Sequence, residues 1–156
     1  MQMIPRLQDD STQKSSWAVV ALVISDGAGS SLLCRRLAGL GAQVDMQPEF
    51  GDAVARLLAG THPAGLLVID CDHAGGHGVG QSVFERLTCA NVWLPVILMS
   101  SDCVEQTFPV GHEAPFQLRS PVSAVALRIA FDLALSPDRR HFSMEKDAPR
   151  KMRPYC

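Results

Sequence analysis

The chain has 156 residues, 47% hydrophobic and 19% charged, which is the size of one compact domain with enough apolar side chains to bury a core, and excludes a wholly disordered chain. Its net charge of −2 is unevenly spread: residues 17–135 carry 11 acids against 6 arginines, whereas residues 136–156 carry 6 bases against 3 acids. Lys14, Lys146 and Lys151 are the only lysines, so the body has none and lacks the broad cationic face that nucleic-acid binding requires.

The first apolar run, Trp17 to Ile24, is about a strand long and far short of the ~20 residues of a membrane span. Asp9 and Asp10 stand where a signal peptide carries positive charge. Five cysteines, at 34, 71, 89, 103 and 156, make an odd number with no CxxC pair, which predicts reduced thiols and a cytoplasmic protein without membrane contact.

Residues 1–16 are polar and aperiodic and read as a flexible leader. AVVALVIS is a continuous, β-branched apolar run, as in a strand buried on both faces, and ends at the turn signal Asp26-Gly27. Ser30 or Ser31 can cap a helix with Leu33, Leu37 and Leu40 on one face, which Gly41 stops. Val44 and Met46 mark a weaker edge strand, and Asp52 caps a short helix carrying Val54, Leu57 and Leu58 up to Gly60.

Leu66 to Ile69 is the next buried strand, terminated by Asp70-Cys71-Asp72 and followed by the glycine-rich loop HAGGHGVG. A helix is expected over 81–88, then a strand over 94–99 closed by Ser100-Ser101-Asp102. Residues 102–115 leave room for a helix of barely two turns, because Pro109, Gly111 and Pro115 interrupt them. Phe116 to Leu118 is a last short strand, and residues 121–135 form a final helix with Val125, Ile129 and Leu133 inward. Residues 136–156 are a basic tail, expected to be disordered or to meet a partner.

Five strands alternating with helices predict a doubly wound α/β domain with a mainly parallel sheet. Ligand chemistry in such sheets gathers at the carboxyl ends of the strands. Those ends carry Asp26, Asp70, Asp72 and Ser100. Two carboxylates in one crevice repel, and a hard divalent cation such as Mg²⁺ relieves the repulsion. A carboxylate beside that cation can also act as a nucleophile toward a phosphoryl group.

ALVISDG, LLVIDCD, the HG pair before the third helix, LPVILMSS and FQLRSP follow one another in the order and spacing of a known family. Over residues 17–135 the chain resembles the receiver domain of bacterial two-component response regulators. The resemblance implies a flavodoxin-like, five-stranded parallel fold and a signalling role, with a sensor kinase or an output protein as partner. It places Asp70 as phosphoacceptor, Ser100 as switch hydroxyl, and Asp26, Asp70 and the Asp72 backbone around Mg²⁺. It also implies a homodimer surface on the last helix.

Two positions depart from the family. Ser25 stands in place of one acid of the metal-binding pair, so Mg²⁺ binding is weakened or lost. Ser120 stands in place of the lysine before Pro121, and Arg119, one place earlier, starts from the opposite face of the strand. A divergent receiver, or pseudo-receiver, with an atypical or lost phosphorylation switch is therefore expected, acting through protein contacts and not as an enzyme. The alternative is a working receiver phosphorylated on Asp70 by a histidine kinase.

Other readings of the same residues are simpler. Asp70 can be a turn or helix-cap acid, Asp26 the turn before Gly27, and Ser100 the cap of a following helix. Cys71, His73 and His77 form a loose CxHxxxH without a second pair, closer to solvated loop histidines than to a metal site. VIDCD also matches the DxD nucleophile motif of haloacid-dehalogenase phosphatases, but that chemistry needs a lysine the body lacks. SDGAGSS has no third glycine for a dinucleotide turn.

Overall fold

The computed structural model describes residues 18–26 and 29–136. The expected leader and, apart from Ser136, the expected tail lie outside the described residues. The elements in chain order are β1 (Val20–Ile24), α1 (Ser30–Gly39), β2 (Gln43–Gln47), α2 (Phe50–Leu58), β3 (Leu66–Asp70), α3 (Cys71–Ala74), α4 (His77–Cys89), β4 (Val96–Ser100), β5 (Phe116–Arg119) and α5 (Ala124–Ala134). All strand pairs are parallel and the order is β2-β1-β3-β4-β5, the doubly wound five-stranded α/β sheet that the strand alternation predicts.

The continuous apolar runs are explained by burial on two sides. Ala21, Val23, Leu66, Val68, Ile97 and Phe116 face one way, into a core closed by Leu33 and Leu37 of α1 and Leu127 and Phe131 of α5. Leu22, Ile24, Leu67, Ile69 and Leu98 face the other way, against Val54 and Leu57 of α2 and Val83 and Leu87 of α4. Because side chains alternate along a strand, only a fully apolar run can fill both layers. β2 lies at the edge, and its Met46 is exposed where the pattern suggests burial.

Helix starts differ from the serine and aspartate caps expected. Gly29 is the N-cap of α1 and Glu49 that of α2, neither with a side-chain cap; Ser30 and Asp52 lie inside the first turns. Gly41, at φ 100°, and Gly60, at φ 71°, take the left-handed conformation that ends each helix.

The glycine-rich loop is mostly helical, which corrects the expected start at residue 81: only Gly75 and Gly76, both at positive φ, separate α3 from α4. Gly80 is there for packing. A Cβ at this position would lie 2.6 Å from Cys71 Sγ and 3.0 Å from Leu98 Cδ2, so α4 can approach the sheet this closely only without a side chain.

Between β4 and β5 there is no helix, against the two turns expected. Thr107 instead pairs antiparallel with Gln117 through two backbone hydrogen bonds of 2.9 and 3.1 Å, covering the edge of β5. Arg119 holds the same segment. Its Nε donates to Cys103 O at 2.9 Å, another guanidinium nitrogen donates to Val104 O, and its backbone N–H donates to Gln106 Oε1.

The phase of the last helix is also corrected. Val125, Ile129 and Leu133 are exposed, and the buried face is Ala126, Leu127, Ala130, Phe131 and Ala134. Two apolar stripes run along this helix one residue apart, and the alanines let it sit close to the sheet. Cys34, Cys71 and Cys103 are free thiols, while Cys89 is disulfide-bonded. That corrects the expectation of a reduced thiol at Cys89.

Candidate functional site

The parallel sheet brings the ends of β1, β3, β4 and β5 to one edge. Ser25 and Asp26 follow β1, Asp70 ends β3, Ser100 ends β4 and Ser120 follows β5. β1 and β3 are neighbours although β2 intervenes in sequence, so the chain reverses its winding at this point. Crevices in such sheets open there.

Asp70 occupies the N-cap position of α3, yet its side chain makes no cap hydrogen bond. Its Oδ2 accepts from the Ser25 hydroxyl at 3.1 Å and lies 3.8 Å from His73 Nε2. The other ring nitrogen of His73 is 2.9 Å from Asp26 Oδ1. The imidazole, carried on the single turn of α3, thus joins the two acids that sequence reading places together. Asp70 is the more enclosed of them, with its side chain 17% exposed against 63% for Asp26.

Asp72, whose backbone is the group expected near a cation, uses its side chain at the neighbouring strand. Its carboxylate turns toward the end of β4, accepting from the Ser101 backbone N–H at 3.1 Å, the Ser101 hydroxyl at 3.1 Å and the Ser100 hydroxyl at 3.3 Å. Buried Ser100 also accepts from the Asp102 N–H at 3.1 Å. The Ser100 hydroxyl therefore ties a turn, and no helix follows for it to cap. Its place beside Asp70 on adjacent strands is as expected, Asp70 standing in register with Met99.

The residues do not suit a hard divalent cation. His73 bridges the two carboxylates, and Ser25 offers a neutral hydroxyl that is already donating to Asp70. No group of three or more metal-ligating side chains forms among the described residues. Cys71 cannot join His73 and His77, because it is fully buried with Sγ directed to Ile69 O at 3.8 Å. Burial first, then the charges of Asp70 and Asp72, push its thiol pKa up to about 12.

Ser120 leaves space beside this cluster. A cavity of about 350 Å³ opens between α1, the ends of β3 to β5 and the start of α5, with Asp70, Asp72, His73 and Ser120 in its wall. Arg119 does not reach it, being held on the 103–104 carbonyls. Arg36 of α1 does line it and donates to Val122 O at 2.6 Å. The sequence singled out Asp26, Asp70 and Ser100 through strand ends, but not His73 as their bridge, nor Ser101 or Arg36; those roles depend on side-chain direction.

The sheet order matches a known class of solved structures. The fold is that of a receiver domain. A signal receiver domain from Vibrio parahaemolyticus is similar at TM-score 0.58 and 13% identity, over 86% of this chain and 99% of that one. The chemotaxis protein CheY4 of Vibrio cholerae is similar at TM-score 0.56 and 14% identity, over 76% and 99%. The PhyR stress response regulator is similar at TM-score 0.53 and 23% identity, over 83% of this chain. The chain spans about half the length of that PhyR chain. No family model matches the sequence, and no curated protein matches it. No helix among the described residues is long and apolar enough to cross a membrane.

Proposed function

We propose that this chain is a receiver-like signalling module, not an enzyme, that acts in the cytoplasm through protein contacts, with a phosphorylation switch that is atypical or lost. The observation that carries the reading is the wiring of Ser100. Its buried hydroxyl is bound to Asp72 and to the Asp102 N–H, so it is committed before any group arrives on Asp70. The absence of lysine from residues 15–145 removes the usual partner of a charged phosphoaspartate as well.

The partner is a sensor kinase or an output protein. The exposed stripe Val125, Ile129 and Leu133 on α5 supports such a contact, or a homodimer through the same helix. A phosphatase of the DxD kind is disfavoured, because Asp72 would serve there as general acid and is held by three donors.

Intact-mass measurement after exposure to acetyl phosphate and Mg²⁺ tests the reading, with Asp70→Asn beside the wild type. The expected result is no Asp70-dependent adduct, or an adduct that leaves the amide NMR spectrum of β4, β5 and α5 unchanged. An adduct that shifts those amides would establish the alternative, a working phosphoacceptor.

A further inference from the structure

The cavity beside Asp70 has the composition of a ligand site. Its volume of about 350 Å³ is within the range of small-molecule pockets. Leu32, Leu33, Val122 and Leu127 give it an aliphatic wall, poorly suited to holding ordered water.

Two opposite charges enter it from different elements. Asp70 comes from the end of β3; Ser25 and His73 both approach its Oδ2, which leaves acceptor capacity on its other oxygen. Arg36 comes from α1, and its side chain donates to Val122 O without forming an ion pair among the described residues. The guanidinium keeps donors free for an anion. Arg36 is six residues past Ser30, which also lines the cavity, so it is anchored roughly 9 Å further along the helix axis.

A cation alone would leave the free donors of Arg36 without an anion. An anion alone would face Asp70 and Asp72. Asp70 and Arg36 reach the cavity from separate elements, β3 and α1, which favours a ligand whose two charges stand apart over an α-amino acid with both on one carbon. The requirement is an ammonium and a carboxylate at the two ends of an aliphatic stem.

We propose that the cavity between α1, α5 and the ends of β3 to β5 binds a short aliphatic ω-amino acid, its ammonium on Asp70 and its carboxylate on Arg36. This rests on the reading of the site as phosphate-independent, since a phosphoryl group on Asp70 would replace the carboxylate that holds the ammonium. Occupation ties α1 to the start of α5, the helix that bears the exposed Val125 stripe, and so gives a ligand a route to the contact surface.

The test is an amide NMR titration of the full chain with 5-aminopentanoate, without Mg²⁺ or phosphodonor. Saturable shifts are expected at Leu33, Arg36, Asp70 and Val122. Pentylamine and pentanoate, each keeping one charge, should bind at least about tenfold more weakly, as loss of one charged hydrogen bond dictates. Arg36→Gln should abolish discrimination between 5-aminopentanoate and pentylamine, and Ser120→Leu, which pushes a bulky side chain into the cavity wall beside Asp70, should remove the shifts while amide dispersion shows the fold intact.

Absence of saturable shifts with folded wild-type protein at millimolar ligand would overturn the proposal. So would equal affinity for pentylamine, or shifts that persist in Ser120→Leu. An Asp70 adduct that shifts the output amides in the acetyl phosphate experiment would count against the phosphate-independent reading, while the titration reads the cavity by itself.

Discussion

The Ser25 hydroxyl donates to Asp70 Oδ2 at 3.1 Å, linking the ends of the adjacent parallel strands β1 and β3. The donor at this place is a neutral hydroxyl, where a carboxylate would set a second acid directly against Asp70. Ser25→Asp makes that replacement in a position only 2% exposed. We expect this variant to lose about 1–3 kcal/mol of stability and to regain part of it with millimolar Mg²⁺, whereas wild type shows no Mg²⁺-dependent shift in melting temperature. Equal Mg²⁺ responses of the two proteins would contradict this account.

The strands were legible because a strand buried on both faces admits only apolar residues, as in Leu66 to Ile69 and Val96 to Met99. Strand ends then located Asp26, Asp70 and Ser100. Periodicity was less informative on α5, where two apolar stripes lie side by side; the choice between them depends on the closeness that Ala126, Ala130 and Ala134 permit. Gly80 looked like loop chemistry and proved to be a helix residue facing the sheet. The segment before β5 follows Arg119 and the Thr107–Gln117 pairing, which are tertiary contacts without a local signature. His73 was visible as a residue, but its span from Asp26 to Asp70 follows from the turn of α3 that carries it.

Gly80 supplies a packing prediction with an internal control. Gly80→Ala gains about 1 kcal/mol of helix propensity, but its Cβ would stand 2.6 Å from Cys71 Sγ, and overpacking of this kind costs about 1–3 kcal/mol. The net expectation is destabilisation, seen as a lower urea midpoint. Gly78→Ala, in the same helix with nothing within 4 Å of its Cβ, should be neutral or stabilising. A stabilised Gly80→Ala protein would mean that α4 can move away from the sheet without cost.

Asp45 predicts part of the acid response. His62 Nε2 lies 2.7 Å from its Oδ2 and Gln47 Nε2 donates to Oδ1 at 2.8 Å; these partners, His62 first, hold its carboxyl below the ordinary value. A lowered folded pKa means that the stabilisation is fully present above the unfolded value of about 3.9 and is lost as pH falls through the folded one. Asp45→Asn should therefore lower the wild-type melting temperature at pH 6 and differ progressively less from wild type as pH drops below about 4. A constant difference across that window would place the effect of the substitution outside the titration of Asp45.

Cys71 separates native from unfolded protein chemically. It is fully buried, and with its pKa pushed up to about 12 by burial and by Asp70 and Asp72, roughly one thiol in 10⁴ is ionised at pH 8. Cys34, also raised by burial, is only half-buried on α1. Iodoacetamide under native conditions should label Cys34 first, and Cys71 only through opening of the α3–α4 layer, so that its labelling rate rises with urea in step with unfolding. Peptide mapping by mass spectrometry reads both sites in one sample. Labelling of Cys71 as fast as Cys34 without denaturant would show that the carboxylates beside it do not rest on a closed core.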